Sequence, residues 1–239
     1  MNAIILAAGR GSRLKNLTDE IPKCLIEINK KSLLDRQLEV LNSCNINNIA
    51  IVKGYKEEKI LDKRIKNYFY NDDWSETNMV HSLKCANELL KNNYNIISYG
   101  DIFYEKNIIY KLIDSQDDIV ISYDVNYKDL WSRRFENPLS DLETFVVDSN
   151  NYLVEIGKKA TSYERISGQY MGLIKISPKG WALIEGILIN LDYKNLDMTS
   201  LLSILLEHDI KIKTVENCDK WGEVDTPDDV SLYENEFEL

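Results

Sequence analysis

Three short apolar runs, at residues 3–7, 48–53 and 95–99, constrain the fold more than any other feature of this 239-residue chain. Each is too short for a globular helix. Each also lacks the apolar-polar alternation of a strand with one wet face, so each suits a strand buried on both sides. Between them, Leu33, Leu34, Leu38 and Leu41 recur at helical spacing, as do Val80, Leu83, Ala86, Leu89 and Leu90. Thr77 or Ser75 is the expected cap of the second helix.

Alternating strands and helices predict an α/β fold. The expected core is a doubly wound, mainly parallel, Rossmann-like sheet with helices on both faces. The second half adds strand-like stretches at 118–125, 143–148, 152–156, 170–176 and 210–215. Helical stretches follow at 180–190, 198–208 and 227–237, the last with Thr226 as its cap. No linker, repeat or low-complexity segment interrupts the chain. The expectation is one domain over 1–239, with a first half of about 1–115 and a second of about 116–239 built over it.

Ligands in such sheets bind beyond the carboxyl ends of the strands. The run at 3–7 ends there in Ala8-Gly9-Arg10-Gly11-Ser12-Arg13-Leu14, and Pro22-Lys23-Cys24-Leu25 follows. Glycines admit anionic oxygens to the backbone, Arg13 offers a charged fork, and Lys23 stands behind a stiffening proline. This is a phosphate loop of neither common kind. A dinucleotide fingerprint requires a third glycine where Leu14 stands, and no G-x-x-x-x-G-K-[ST] string occurs.

Formal net charge is −10, which argues against nucleic acid as a partner. No apolar run approaches the ~20 residues of a membrane span, and no signal-peptide layout precedes the first strand. A cytoplasmic location is expected. Cys24, Cys44, Cys85 and Cys218 form no C-x-x-C pair or zinc spacing, so reduced and mostly buried thiols are expected. With only His81 and His208, a histidine metal cage is excluded. His81 reads as a helix residue rather than a base, and Asp117-Asp118 and Asp228-Asp229 as solvated turn or cap residues.

Asp101 and Asp225 each close a short strand-like stretch. Carboxylates at strand ends beside a phosphate loop suit Mg²⁺, although either could equally be a turn or cap residue.

The double motif L-A-A-G-x-G-x-R-L at 6–14 and P-K-x-L at 22–25 resembles the sugar-phosphate nucleotidyltransferases. Asn78-Met79-Val80-His81-Ser82-Leu83 resembles the N-x-x-x-S-L segment of the small bacterial phosphocholine cytidylyltransferases. The resemblance spans the whole chain. It implies that Leu6, Ala7, Ala8, Gly9, Gly11, Arg13, Lys23, Asn78, Ser82 and Gly100 bind the nucleotide. Arg13 and Lys23 would act on its phosphates, and Asp101 and Asp225 would hold the catalytic Mg²⁺. The implied reaction joins CTP to a small phospho- or phosphono-acceptor such as phosphocholine, 2-aminoethylphosphonate or phosphoglutamine. Its product would feed capsule or other surface decoration. Gly100-Asp101-Ile102 departs from the G-D-N of many sugar nucleotidyltransferases, and the chain is short for a hexose-phosphate enzyme. A hexose-1-phosphate nucleotidylyltransferase is therefore the second reading. A nucleotide-binding regulatory protein without turnover is the third.

The acceptor site is expected in the second half. Trp131, Arg133 and Arg134 stand together in an acidic chain, and Tyr170 and Trp221 offer aromatic faces for a cationic or zwitterionic group. Trp74 is a further aromatic, and Glu143 and Glu223 are possible counter-charges.

Overall fold

The computed structural model describes residues 1–236, which form thirteen strands and eight α-helices. The first half contains β1 (Asn2–Ala7), β2 (Glu27–Ile28), β3 (Lys31–Ser32), α1 (Leu33–Ser43), β4 (Ile49–Lys53) and β5 (Ile65–Tyr70). It continues through α2 (Met79–Cys85), α3 (Asn87–Asn92), β6 (Asn95–Tyr99), β7 (Ile102–Tyr104) and α4 (Lys106–Asp114). The second half begins with β8 (Ile119–Asp124), α5 (Tyr127–Arg134), β9 (Glu143–Val147), β10 (Leu153–Lys159) and β11 (Gln169–Ile176). It ends with α6 (Pro178–Leu188), α7 (Met198–Glu207), β12 (Lys213–Asn217), β13 (Trp221–Glu223) and α8 (Pro227–Glu236).

Seven strands form the central sheet in the order β12-β8-β11-β6-β1-β4-β5. All run parallel except β11, which is antiparallel to both neighbours, β6 and β8. The period of two along β1 shows why its apolar run is unbroken. Ala3, Ile5 and Ala7 pack with α1 and α4, while Ile4 and Leu6 pack with α2, α3 and α6 on the opposite face. Helices on both faces make this the α/β sheet that the run lengths predict. The second half extends the same sheet through β8, β11 and β12, and β9–β10 form an antiparallel pair of their own.

Several local expectations shift. The helix expected through Val80–Leu90 is two helices, separated at Ala86, where φ −92° and ψ 21° leave the helical region. Asn78 caps α2 by accepting from the Met79 N–H, and Thr77 instead hydrogen-bonds Asn71. The strand expected at 210–215 is β12, which begins at Lys213. The closing helix does start behind Thr226, whose Oγ1 accepts from the Asp229 N–H. Position 237 of that expected helix lies outside the described residues. Cys24 and Cys44 are buried free thiols, whereas Cys218 is exposed. His81 stacks on Tyr193, at 6.1 Å between ring centroids.

Two close approaches bring the site together. A Cβ on Gly100 would lie 2.7 Å from the Leu6 carbonyl oxygen, so only glycine lets the end of β6 cross so near β1. Gly11 has φ +70°, and a Cβ there would lie 2.9 Å from Lys23 Cδ. The second glycine of the loop thus provides a left-handed turn and room for the lysine stem.

Candidate active site

Three carboxylates meet beyond the carboxyl ends of β1 and β6. Asp101, Glu223 and Asp225 each present an oxygen, and these oxygens all lie within 4.8 Å of one another. The turn carrying Asp101 is clamped from α1: Gln37 Nε2 donates to the Tyr99 and Ile102 carbonyls at 2.8 and 2.7 Å, and Ser98 Oγ donates to Gln37 Oε1. Glu223 lies opposite Ile102 in the β13–β7 pair, and the Val224 N–H donates to the Asp101 carbonyl at 3.0 Å. Residues far apart in sequence are therefore fixed to each other by a strand ladder.

Cations hold this cluster. Lys23 Nζ donates to Asp101 Oδ2 at 2.6 Å and to Asp225 Oδ1 at 2.7 Å. Arg13 Nη2 donates to the same Asp225 oxygen at 2.7 Å, from a side chain that is 66% exposed. Burial lowers the Lys23 pKa, but Asp101, Asp225 and Glu223 outweigh it and hold the ammonium well above its usual range. Burial raises Asp225, yet Lys23, Arg13 and Arg134 bring its net shift downward. Glu223 is pushed up to about 8, chiefly by burial and then by Asp225 and Asp101. The three carboxylates face Lys23, Arg13 and Arg134, and burial beside like charges disfavours the ionised form at Glu223.

These residues fit a hard divalent cation. The donors are carboxylate oxygens, and Asp101 Oδ1 is buried with no hydrogen-bond partner among the described residues.

Two cavities meet at the cluster. One, of about 180 Å³, is lined by Leu6, Ala7, Ala8, Gly9, Gly11, Lys23, Asn78, Ser82, Gly100 and Asp101. The sequence-expected nucleotide residues converge there, except Arg13. No protein atom lies within 4 Å of where a Gly9 Cβ would sit, so the first glycine leaves open space. Cys24, Trp74, Thr77 and Met79 also line this cavity, and the motif pattern does not point to Cys24 or Met79.

The other cavity, of about 220 Å³, is lined by Trp131, Tyr170 and Trp221, as expected, and by Arg13, Glu223 and Asp225. Asp141, Glu143, Thr144 and Phe145 form another stretch of its wall. Trp131 Nε1 donates to Asp141 Oδ2 at 3.0 Å. The Gln169 amide grips the Glu143 backbone, donating to its carbonyl at 2.8 Å and accepting from its N–H at 3.4 Å.

Two expected acceptor residues lie elsewhere, because 131–134 is helical in α5 and successive side chains diverge by about 100°. Arg133 pairs with Asp129 at 2.8 Å and lines a separate surface depression. The Arg134 side chain is 1% exposed and sits behind the cluster, with Nε donating to Asp229 Oδ1 at 2.8 Å. Asp229, expected as a solvated turn or cap residue, does cap the last helix but is buried, with Arg134 against it.

Residues 3–144 match the family model of the MobA-like NTP transferase domain. The CTP:phosphoglutamine cytidylyltransferase of Campylobacter jejuni is 39% identical over 250 aligned positions, covering 97% of this chain and 98% of that protein. The choline-phosphate cytidylyltransferase of Streptococcus pneumoniae is 39% identical over 106 positions, covering 43% and 46%. The inositol-1-phosphate CTP transferase of T. maritima has the same fold, with a TM-score of 0.78 at 20% identity over 98% of this chain and 93% of that one.

Proposed function

The chain belongs to the MobA-like NTP transferase family and is a nucleotidyltransferase; from that premise we propose that it is a Mg²⁺-dependent cytidylyltransferase acting on a small phosphorylated acceptor with an amine or amide tail. One observation carries this reading. The cavity lined by the phosphate-loop motif and the aromatic, acidic cavity share one wall, with Asp101 on the first side and Glu223 and Asp225 on the second. Transfer between two substrates needs such a shared wall, because the reacting atoms must meet there.

CTP occupies the motif-lined cavity, and the acceptor occupies the other. An acceptor phosphoryl oxygen forms a bond to the α-phosphorus as the bond from that phosphorus to the β-phosphate oxygen breaks, releasing pyrophosphate. A phosphate monoester has a second pKa near ~6, so its oxygen is largely ionised at neutral pH and no general base is required. Lys23 and Arg13 neutralise the phosphates, and the backbone at Gly9 and Gly11 gives the triphosphate room. A Mg²⁺ held by Asp101, Glu223 and Asp225 would neutralise further charge at the α-phosphate and align it.

The acceptor cavity favours a tail bearing N–H groups or positive charge. Its described lining offers Asp141, Glu143, Glu223 and Asp225 against the single cation Arg13, with aromatic faces at Trp131, Tyr170 and Trp221. Phosphoglutamine, the acceptor in the name of the C. jejuni relative, fits such a wall through its amino group. Phosphocholine fits it through its ammonium group. A hexose 1-phosphate could donate hydroxyls to these carboxylates but brings no positive charge to offset them.

A matrix of CTP, UTP, ATP and GTP against phosphoglutamine, phosphocholine, 2-aminoethylphosphonate and glucose 1-phosphate, scored by pyrophosphate release, tests the proposal. CTP with an amine-bearing acceptor should dominate. Efficient turnover of glucose 1-phosphate would overturn the acceptor reading, and no turnover of any pair would favour the regulatory alternative.

A further inference from the structure

We propose that Arg134 is a positioning residue, which Asp229 anchors so that its guanidinium holds Glu223 and Asp225 in the orientation that receives a divalent ion. The inference rests on the reading of Asp101, Glu223 and Asp225 as the metal-holding cluster.

The Arg134 side chain is 1% exposed, and a buried guanidinium persists only where its charge is matched. Its Nε donates to Asp229 Oδ1 at 2.8 Å, and Nη2 lies 3.4 Å from Asp229 Oδ2 and 3.5 Å from Asp225 Oδ2. Nη1 lies 3.7 Å from Glu223 Oε2 and is buried with no hydrogen-bond partner among the described residues. The Trp131 and Phe135 rings flank the guanidinium at 5.3 and 5.2 Å. It therefore faces two carboxylates of the cluster from within the core.

Asp229 is itself fixed. Its Oδ2 accepts from the Asp225 N–H at 2.9 Å, the Thr226 N–H at 2.8 Å and Thr226 Oγ1 at 3.0 Å, and Thr226 Oγ1 accepts from the Asp229 N–H in return. This reciprocal cap starts α8. One carboxylate thus sets the backbone of Asp225 directly and its side chain through Arg134.

The two sides of Asp225 differ. Oδ1 receives Lys23 and Arg13, each of which lines one of the two cavities. Oδ2 faces Arg134, which is tied to Asp229 Oδ1 and packed between the Trp131 and Phe135 rings. Of the three cations Arg134 is the one most enclosed by protein, its side chain 1% exposed against 13% for Lys23 and 66% for Arg13. Its planar fork also fixes direction, which a lysine ammonium would not.

The test is a Mn²⁺ titration of the purified full chain without nucleotide, followed by water-proton relaxation, with a thermal melt of each variant. Arg134→Lys retains charge and loses the fork, and it should weaken Mn²⁺ binding by about 10-fold or more. Asp229→Asn should weaken it in the same direction, and it carries the test if Arg134→Lys does not fold. Mn²⁺ affinity within twofold of wild type, or tighter, would overturn the inference whatever the melting temperature, because a purely structural arginine would move only the melt. Wild-type protein with no Mn²⁺ binding sensitive to Asp225→Asn would overturn the metal reading and the inference together. Wild-type binding with an unchanged Arg134→Lys would overturn the inference alone.

Discussion

The two cavities that meet at the acidic cluster are built by opposite means. The nucleotide side is largely a local construction: one loop from β1, one lysine and one helix start line it, and Gly11 and Gly100 are needed for backbone and stem clearances. The acceptor side is assembled from α5, β9, β11 and β13, spread along the chain from Trp131 to Glu223. Antiparallel β11, inserted between β6 and β8, carries Tyr170 to the far side of the shared wall. A motif within the first thirty residues supplies one part of the first cavity, residues 74–82 and 100–101 supply the rest, and only the sheet order describes the second. Chemistry common to a family can reside in the first, and choice of acceptor in the second.

Lys23 tests whether the wall is truly shared. Its ammonium bridges Asp101 and Asp225, one from each side, at 2.6 and 2.7 Å. Lys23→Ala should lower kcat/KM by about 10²-fold or more for either substrate, roughly 3 kcal/mol of transition-state stabilisation. The side chain is only 13% exposed, so the variant leaves buried carboxylates uncompensated. Its melting temperature should fall, and added Mg²⁺ should restore part of the loss. Turnover near wild type would remove Lys23 from the reaction. A loss confined to the CTP KM would make the lysine part of one cavity only.

The same contrast explains what the sequence discloses. Parallel strands buried on both faces leave unbroken apolar runs, so β1, β4 and β6 are legible, and the Gly-rich loop is legible because its spacing is local. Asp101 and Asp225 are visible as strand-end carboxylates. Glu223 stands two residues before Asp225 on β13, pointing back to the cluster with the strand period, and only its pairing with Ile102 reveals that. The arginines mislead for a related reason. Adjacent charges look like one patch in a string of letters, but on α5 one faces water and the other the core. The burial of Asp229 is illegible without Arg134 beside it.

Glu143 sharpens the acceptor side. It lines the wall away from the nucleotide motif, and Gln169 fixes its backbone, so a substitution there changes charge with little rearrangement. Glu143→Gln should raise the acceptor KM about 10-fold and leave the CTP KM unchanged, the loss of one charge-assisted contact of about 1.5 kcal/mol. Burial, with Asp197 and Asp141 nearby, pushes the Glu143 carboxyl above its usual value. Its charged form is therefore lost as pH falls, starting at a higher pH than for an exposed glutamate. The wild-type acceptor KM should rise through that window, while Glu143→Gln, measured with the same acceptor, should show only the acceptor's own titration. Parallel profiles would place the amine contact on another residue.

Arg133 gives the smallest effect and the finest cut. Its side chain is 41% exposed and pairs with Asp129, one turn earlier on α5, in a surface depression outside both cavities. An exposed pair of this spacing contributes about 0.3–0.5 kcal/mol, so Arg133→Ala should change either KM by a factor of about two at most. Two nearby residues of the same helix behave otherwise. Trp131 lines the acceptor cavity, and Arg134 holds the carboxylates from behind, so helical geometry alone separates three roles within four residues. Steady-state kinetics on Arg133→Ala decide whether that separation survives in the working enzyme. A tenfold rise in acceptor KM would mean that α5 turns Arg133 toward the substrate during turnover. The acceptor cavity would then be assembled by movement as well as by sheet order.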